Sequence, residues 1–157
     1  MANFWAKDKG LKGLVATFEL NANETAAFVG YLRSSGLHKT ESGQPLTVAK
    51  IAMVNEFGTS KIPERSFFRS TLNEQKKKLK AKIKGAAARV ASGKQDKKQA
   101  LGLIAEWLVL QFKNKIQENV PPPNAESTIA RKGSSHTLID TGQMRDSLDW
   151  ELKEGKR

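Results

Sequence analysis

Leu14, Ala16, Phe18 and Leu20 alternate with Val15, Thr17 and Glu19. A period of two with one apolar face predicts a strand. Behind Asn23, a helix-capping residue type, Ala26, Ala27, Val29, Gly30 and Leu32 have the spacing of a short amphipathic helix over residues 24–33. Residues 37–46 read as an exposed loop. Thr47 then caps a second short helix that turns Val48, Ile51, Ala52 and Met53 inward and runs into Asn55-Glu56-Phe57-Gly58-Thr59. Gly58 supplies the positive-φ stop of that helix.

Beyond Pro63 the period lengthens. Phe68, Leu72, Leu79, Ile83, Ala86 or Ala87, and Val90 form a narrow stripe at spacings of three and four, and the other faces of this long helix are lysine. Ser92-Gly93 breaks it, and residues 95–119 predict another long helix whose primary stripe is Leu101, Ile104, Ala105, Leu108, Phe112 and Ile116. Leu103, Trp107 and Leu110 add a second stripe. So wide an apolar surface belongs to a helix that is either central in the fold or shared between the core and a subunit contact. Pro121-Pro122-Pro123 ends that helix, and a polar loop without periodicity follows to Thr137. Asp140 or Thr141 is expected to cap a turn through Met144, after which Leu148, Trp150 and Leu152 alternate with Asp149, Glu151 and Lys153 as a final strand. The two alternating segments, near opposite ends of the chain, are expected to pair as neighbours in one sheet. The fold class that results is α+β: a small, mostly antiparallel sheet joining N- and C-terminal strands, packed against two long and two short helices, with a long Pro-rich loop.

Length and composition bound this picture. At 157 residues and 38% hydrophobic content the chain is one domain, 1–157, with 1–12 and 154–157 expected to be flexible and 121–137 an extended loop. The absence of cysteine excludes a disulfide scaffold, a thiolate metal site and a cysteine nucleophile. The first ten residues lack the apolar stretch of a secretory signal, and the apolar run 101–110 is far short of the ~20 residues a membrane helix needs. A soluble protein in a cytoplasmic or virion setting is expected.

The net charge is +11, and residues 61–100 hold nearly all of it, with thirteen Lys or Arg against Glu64, Glu74 and Asp96. A field concentrated in one segment attracts polyanions and acidic partners. Lys76, Lys80 and Lys84 recur every four residues with Lys77, Lys78 and Lys82 beside them, a broad cationic face for phosphates or an acidic partner. A solvated helix face is the plainer account, since no aromatic residues are interleaved for base stacking.

The remaining chemistry is sparse. Asp140-Thr141-Gly142 after Leu138-Ile139 copies the local signature of aspartic proteases, but too little chain follows for the rest of such a fold, and a cap is the better reading. His38 and His136 stand apart from each other and from paired carboxylates, so no metal site is predicted, and both read as exposed loop residues. No phosphate-binding glycine loop, dinucleotide fingerprint or nucleophile elbow is present. No enzymatic activity, cofactor or small-molecule substrate is expected.

Four phrases, taken in order, carry a resemblance. They are Val48-Ala49-Lys50-Ile51-Ala52 leading into Asn55-Glu56-Phe57-Gly58-Thr59; Ile62-Pro63-Glu64-Arg65-Ser66-Phe67-Phe68-Arg69; the loop from Pro122 to Gly133; and Leu138-Ile139-Asp140-Thr141-Gly142-Gln143-Met144-Arg145-Asp146-Ser147. Together they resemble the small neck and tail-completion proteins of tailed bacteriophages and prophages, over roughly residues 45–152. The resemblance implies a structural role in the virion and no catalysis. The protein would be a subunit of a homo-oligomeric ring, expected to be hexameric, that completes the tail or joins it to the head connector. Its neighbours would be head-connector and tail-tube or tail-terminator proteins, with non-specific contact to packaged DNA, no membrane, and the host cytoplasm as the place of assembly.

Carried over by position, Asn55, Glu56, Phe57, Gly58, Thr59 and Pro63 form the turn that feeds the long helix, and Asp140, Thr141 and Gly142 anchor the far end of the loop. Pro121, Pro122, Pro123, Thr128, Ile129, Arg131 and Lys132 belong to an arm that reaches a neighbouring subunit, mobile in the monomer and ordered on assembly. A closed ring needs two unlike patches on each subunit, and Trp107 and Leu110 mark the other. Lys76, Lys77, Lys80 and Lys84 are the face for DNA or an acidic partner, which the resemblance leaves unexplained. The alternative is a freestanding basic nucleic-acid-binding protein using the same lysine-rich helix.

Overall fold

The structure, a computed structural model, describes residues 3–8, 14–19, 25–32, 37–38 and 46–154. Four strands, β1 (Asn3–Asp8), β2 (Leu14–Glu19), β3 (Thr25–Gly30) and β6 (Asp149–Glu154), form one antiparallel sheet in the order β1-β2-β3-β6. The short strands β4 (Leu37–His38) and β5 (Leu46–Thr47) pair separately. Five helices complete the domain: α1 (Val48–Phe57), α2 (Phe68–Ala91), α3 (Lys97–Gln117), α4 (Glu126–Lys132) and α5 (Gln143–Asp146). The chain is an α+β domain.

Helix α3 packs on β3 and β6 with one side and on α2 with another, so it is the middle layer. That position accounts for its breadth of apolar residues: nine are buried between Ala100 and Ile116. The side chain of Asp96 caps its first turn by accepting from Gln99 N at 3.0 Å. Phe68, the first residue of α2, stacks on Phe112 near the end of α3, with ring centroids 4.1 Å apart and planes at 6°, so the two long helices run antiparallel. Where α3 crosses the sheet the backbones come close. A Cβ at Gly102 would lie 3.0 Å from the Trp150 ring, which makes glycine the residue that lets β6 seat there.

Strand β3 occupies the segment expected as the first short helix. Ala27 and Val29 are wholly buried while Ala26 and Phe28 are partly exposed, a strand alternation that the helix spacing also accommodates. A helix this short is marginal without tertiary support, and the ladder partners on both sides of β3 decide the outcome. As a result β2 and β6 are not neighbours: β3 lies between them and pairs with each. On β6, Trp150 and Leu152 pack against the core as the alternation predicts, and Lys153 lies over the Phe28 ring on the other face, 4.9 Å from its centroid.

Two further expectations change. Residues 3–8, placed within a flexible N-terminal stretch, form β1, and Glu154, placed in a flexible C-terminal one, ends β6, while the rest of 1–12, the capping Asn23 and residues 155–157 lie outside the described residues. The polar segment 121–137 contains α4, which ends in Gly133 at φ 66°. Among the described residues no helix is long and apolar enough to cross a membrane.

Candidate functional site

Glu56, at the end of α1, is fully buried, and its carboxylate sits at the start of α2. Oε2 accepts from Phe68 N at 2.7 Å, and Oε1 accepts from Arg69 N at 2.9 Å, Arg69 Nε at 2.9 Å and Ser66 Oγ at 3.0 Å. Phe67, the residue before α2, offers no side-chain cap. A carboxylate from the preceding helix therefore satisfies two of the orphan amides of α2 and complements the positive end of its dipole. Hydrogen bonding to Glu56, and secondarily to Glu64, raises the Arg69 guanidinium above its usual pKa. Its plane lies over the Phe57 ring, 4.7 Å from the centroid.

The turn between the helices is closed by backbone bonds. Gly58 has φ 71°, and a Cβ there would lie 2.8 Å from Glu64 N, so no other residue fits without displacing the chain. Thr59 N donates to Ile62 O at 2.7 Å, Ile62 N donates to Thr59 Oγ1 at 3.0 Å, and Arg65 N donates to Asn55 O at 2.7 Å. These bonds fix the direction of Arg65, which is 4% exposed. Its Nε donates to Pro122 O at 2.8 Å, and Nη2 donates to Pro123 O and Asn124 Oδ1, each at 3.1 Å. Burial lowers its pKa from the usual arginine value.

The proline segment is thus tied to the body, and the ties continue along it. Asn124 Nδ2 donates to His136 O at 3.0 Å, Lys132 Nζ donates to the same carbonyl at 2.8 Å, and Thr137 N donates to Asn119 Oδ1 at 2.8 Å. The arm expected to be mobile in the monomer is folded back on its own chain. Its polar composition hides this, because the ties to the body come from Arg65 and Asn119, outside the segment, and the two bonds to His136 O are internal.

A groove of about 510 Å³ opens between α1, the turn, α4 and the start of α5. All four phrases that carry the resemblance contribute to its wall, among them Ile51, Pro63, Thr128 and Thr141. Lys61, Arg65, Arg131 and Lys132 bring positive charge to it, against one carboxylate among the described residues, that of Asp140. Burial lowers the pKa of Lys132, and its cationic neighbours Arg65 and Arg131 lower it further, while Asp140 acts in the opposite sense.

Asp140-Thr141-Gly142 forms one wall, with Asp140 exposed and no second carboxylate beside it, so the shared-proton pair of an aspartic protease is not assembled. The cap is also displaced by a residue. Gly142, at φ 82°, is the N-cap of α5 without any side-chain bond, and Thr141 Oγ1 accepts only a long 3.4 Å contact from Gln143 N. The αL backbone at Gly142, which neither Asp nor Thr adopts cheaply, sets the helix start there. His136 is half-buried rather than exposed, with Nε2 3.2 Å from Gln117 O; the side chain of His38 lies outside the described residues. Among the described residues no three His, Asp or Glu side chains gather as metal ligands.

The other predicted residues lie elsewhere. Lys76, Lys77, Lys80 and Lys84 are exposed on α2, as are Lys78 and Lys82, whose Nζ lies 5.0 Å from the centroid of the Trp107 ring. Leu110 and Leu103 are about half exposed, two turns apart on one face of α3, with Trp107 partly covered beside them. Pro121 and Ile129 sit on the arm outside the groove lining. Sequence reasoning places Arg65 only within a turn and does not find its partner Asn124 or the anchor Asn119. An arginine directly after Pro-Glu, without an acid that claims it, is the one signal available.

An α+β domain with a cationic groove walled by its most distinctive phrases is the class these features define. Comparison with protein-family models, with curated proteins and with solved structures finds no match.

Proposed function

We propose that the protein is a structural subunit of a tailed-phage particle, assembling into a ring, expected to be hexameric, that completes the tail or joins it to the head connector. The observation that carries this reading is convergence: four phrases spread over a hundred residues, which together resemble neck and tail-completion proteins, wall one groove. Segments so far apart are brought together for a common surface, and that surface offers no paired acid and base for turnover. Ring closure by heterologous contact needs a second, unlike patch. The Leu103–Trp107–Leu110 face of α3 supports that role, and the outer side of the arm at Ile129 is its counterpart in the neighbouring subunit. The particle's neck would be its site of action, after assembly in the host cytoplasm.

Native mass measurement of the purified protein tests this, followed by imaging of any ring beside tails. A closed oligomer that sits at a tail end is the expected result. A chain that stays monomeric at all concentrations and leaves tails unmodified overturns the reading.

The exposed lysines of α2 favour a second reading, a basic nucleic-acid-binding protein acting alone. It requires tight duplex binding by the monomer, with affinity falling steeply as salt rises. Changing Lys76, Lys80 and Lys84 to Gln would then lower the log–log salt slope by about 3, at close to one unit per phosphate contact.

A further inference from the structure

We propose that the groove between α1 and α4 is a receptor for an acidic, partly apolar peptide segment supplied by a different protein. Three observations carry it. The first is charge held without counter-charge. All three acceptors of the buried Arg65 guanidinium are neutral oxygens, two proline carbonyls and an asparagine amide, and Lys132 Nζ donates to a carbonyl as well. Lys61 adds a cation at the rim, and among the described residues Asp140 is the only carboxylate in the wall. Cations satisfied by dipoles keep their full field, and a partly desolvated groove concentrates it on whatever enters.

The second observation is the mixed wall. Val48, Ile51, Leu138 and Met144 bring apolar surface into the same groove. Its volume of about 510 Å³ falls in the range of pockets that enclose small ligands or a few residues of chain. An inorganic anion would leave that apolar wall wet, and so would a duplex, whose rigid outline presents phosphates alone. A peptide with an aliphatic side chain next to carboxylates uses both parts of the wall, the apolar part for affinity and the cations for orientation.

The third observation argues against a second copy as the donor. At +11 the chain repels itself at any cationic surface. Seven of its acids are also held in ion pairs: Glu56 and Glu64 with Arg69, Glu74 and Glu118 with Lys115, Asp146 with Arg145, Glu151 with Lys153, and Glu154 with Lys98. A partner of net negative charge meets no such repulsion, and the segment is assigned to it. This inference stands whether or not the chain forms a ring, because the groove is built within one chain and the α3 face takes no part in it.

The test uses the full chain to select from a random-peptide library displayed on yeast, with the enriched peptides then synthesised and titrated by fluorescence anisotropy. Enriched sequences are expected to combine Asp or Glu with an aliphatic residue. Their affinity is expected to fall about tenfold or more in Lys61→Glu/Arg131→Glu, which touches two exposed side chains and leaves Arg65 in place. Thr128→Trp, which fills the groove without changing its charge, is expected to have the same effect, and Lys76→Gln/Lys80→Gln/Lys84→Gln to have none. Thermal unfolding shows that each variant is folded. The proposal is overturned by a selection that yields no acidic enrichment, by peptides that bind the groove variants as well as the parent, or by loss of binding in the α2 variant. Displacement of the peptide by a short DNA duplex whose own binding is lost in Lys61→Glu/Arg131→Glu also overturns it, assigning the groove to nucleic acid.

Discussion

Glu56 holds four donors from a position with no access to water, and the entry to α2 depends on it. Glu56→Ala would leave two helix amides and the inner edge of Arg69 unpaired, at a cost of about 3–5 kcal/mol, comparable with the total stability of many small domains. Glu56→Gln keeps an acceptor and loses the charge, and is expected to cost about half as much. Urea unfolding checks both, through a lowered midpoint at constant slope. Tyr31 makes a complementary case. Its hydroxyl is buried with no hydrogen-bond partner among the described residues, and burial, reinforced by the negative charge of Glu56, raises its pKa well above the usual value of 10.0. An acid whose folded pKa is raised contributes stability below its unfolded pKa, and that stability is lost as pH rises above about 10. Tyr31 is the only tyrosine, so tyrosinate absorbance is expected to appear together with alkaline unfolding and not before it. Tyr31→Phe removes an unsatisfied hydroxyl, and is expected to leave stability at neutral pH unchanged or higher and to extend it into the alkaline range. Neither role was legible beforehand: a Glu inside a helix-end phrase reads as solvated until the fold folds a second helix onto it.

At the scale of elements, Gly58 and Gly133 make a controlled pair. Both have φ near 70°, but a Cβ at Gly133 meets open space while one at Gly58 strikes the backbone at Glu64. Gly133→Ala is expected to cost about 1 kcal/mol, the left-handed penalty alone, and Gly58→Ala ~3 kcal/mol or more, since that turn has to open as well. Differential scanning calorimetry of the two variants separates backbone strain from the contact. The helices with long, one-sided stripes were legible. The stripe of α2 and the Thr47 cap of α1 lie where the spacing puts them, because burial on one face and a side-chain cap are local facts. Strand β3 was not, since Ala26, Ala27, Phe28 and Val29 fit either period, and the choice is made by ladders to distant chain. The arm at 121–137 was hidden for the same reason: its anchors lie outside it.

At the scale of the molecule, three surfaces differ in chemistry. The lysines of α2, the groove behind α4 and the leucines of α3 are three surfaces with three chemistries, and each can be removed alone. Leu103→Glu/Leu110→Glu alters only side chains that are about half exposed, so its melting temperature is expected to stay within a few degrees of the parent. If the α3 face builds the ring, that variant is a monomer by sedimentation, and it still binds peptide at the groove. The groove itself was half legible. Its phrases stand out in the sequence as turns and caps, but that they share one cavity follows from Arg65 drawing the proline segment onto the turn, a contact no spacing rule encodes.

Strand β6 pairs with β3 along its full length, although nearly the whole described chain separates them. During synthesis that partnership waits until residues 149–154 leave the ribosome, and until then one edge of β3 and the part of α3 that packs under β6 stay uncovered. The domain therefore closes late, by a long-range step with a high entropic threshold. A tail fused close behind residue 154 would act on that last step, and its effect would appear in folding yield and in the speed of refolding while the finished groove stayed unchanged.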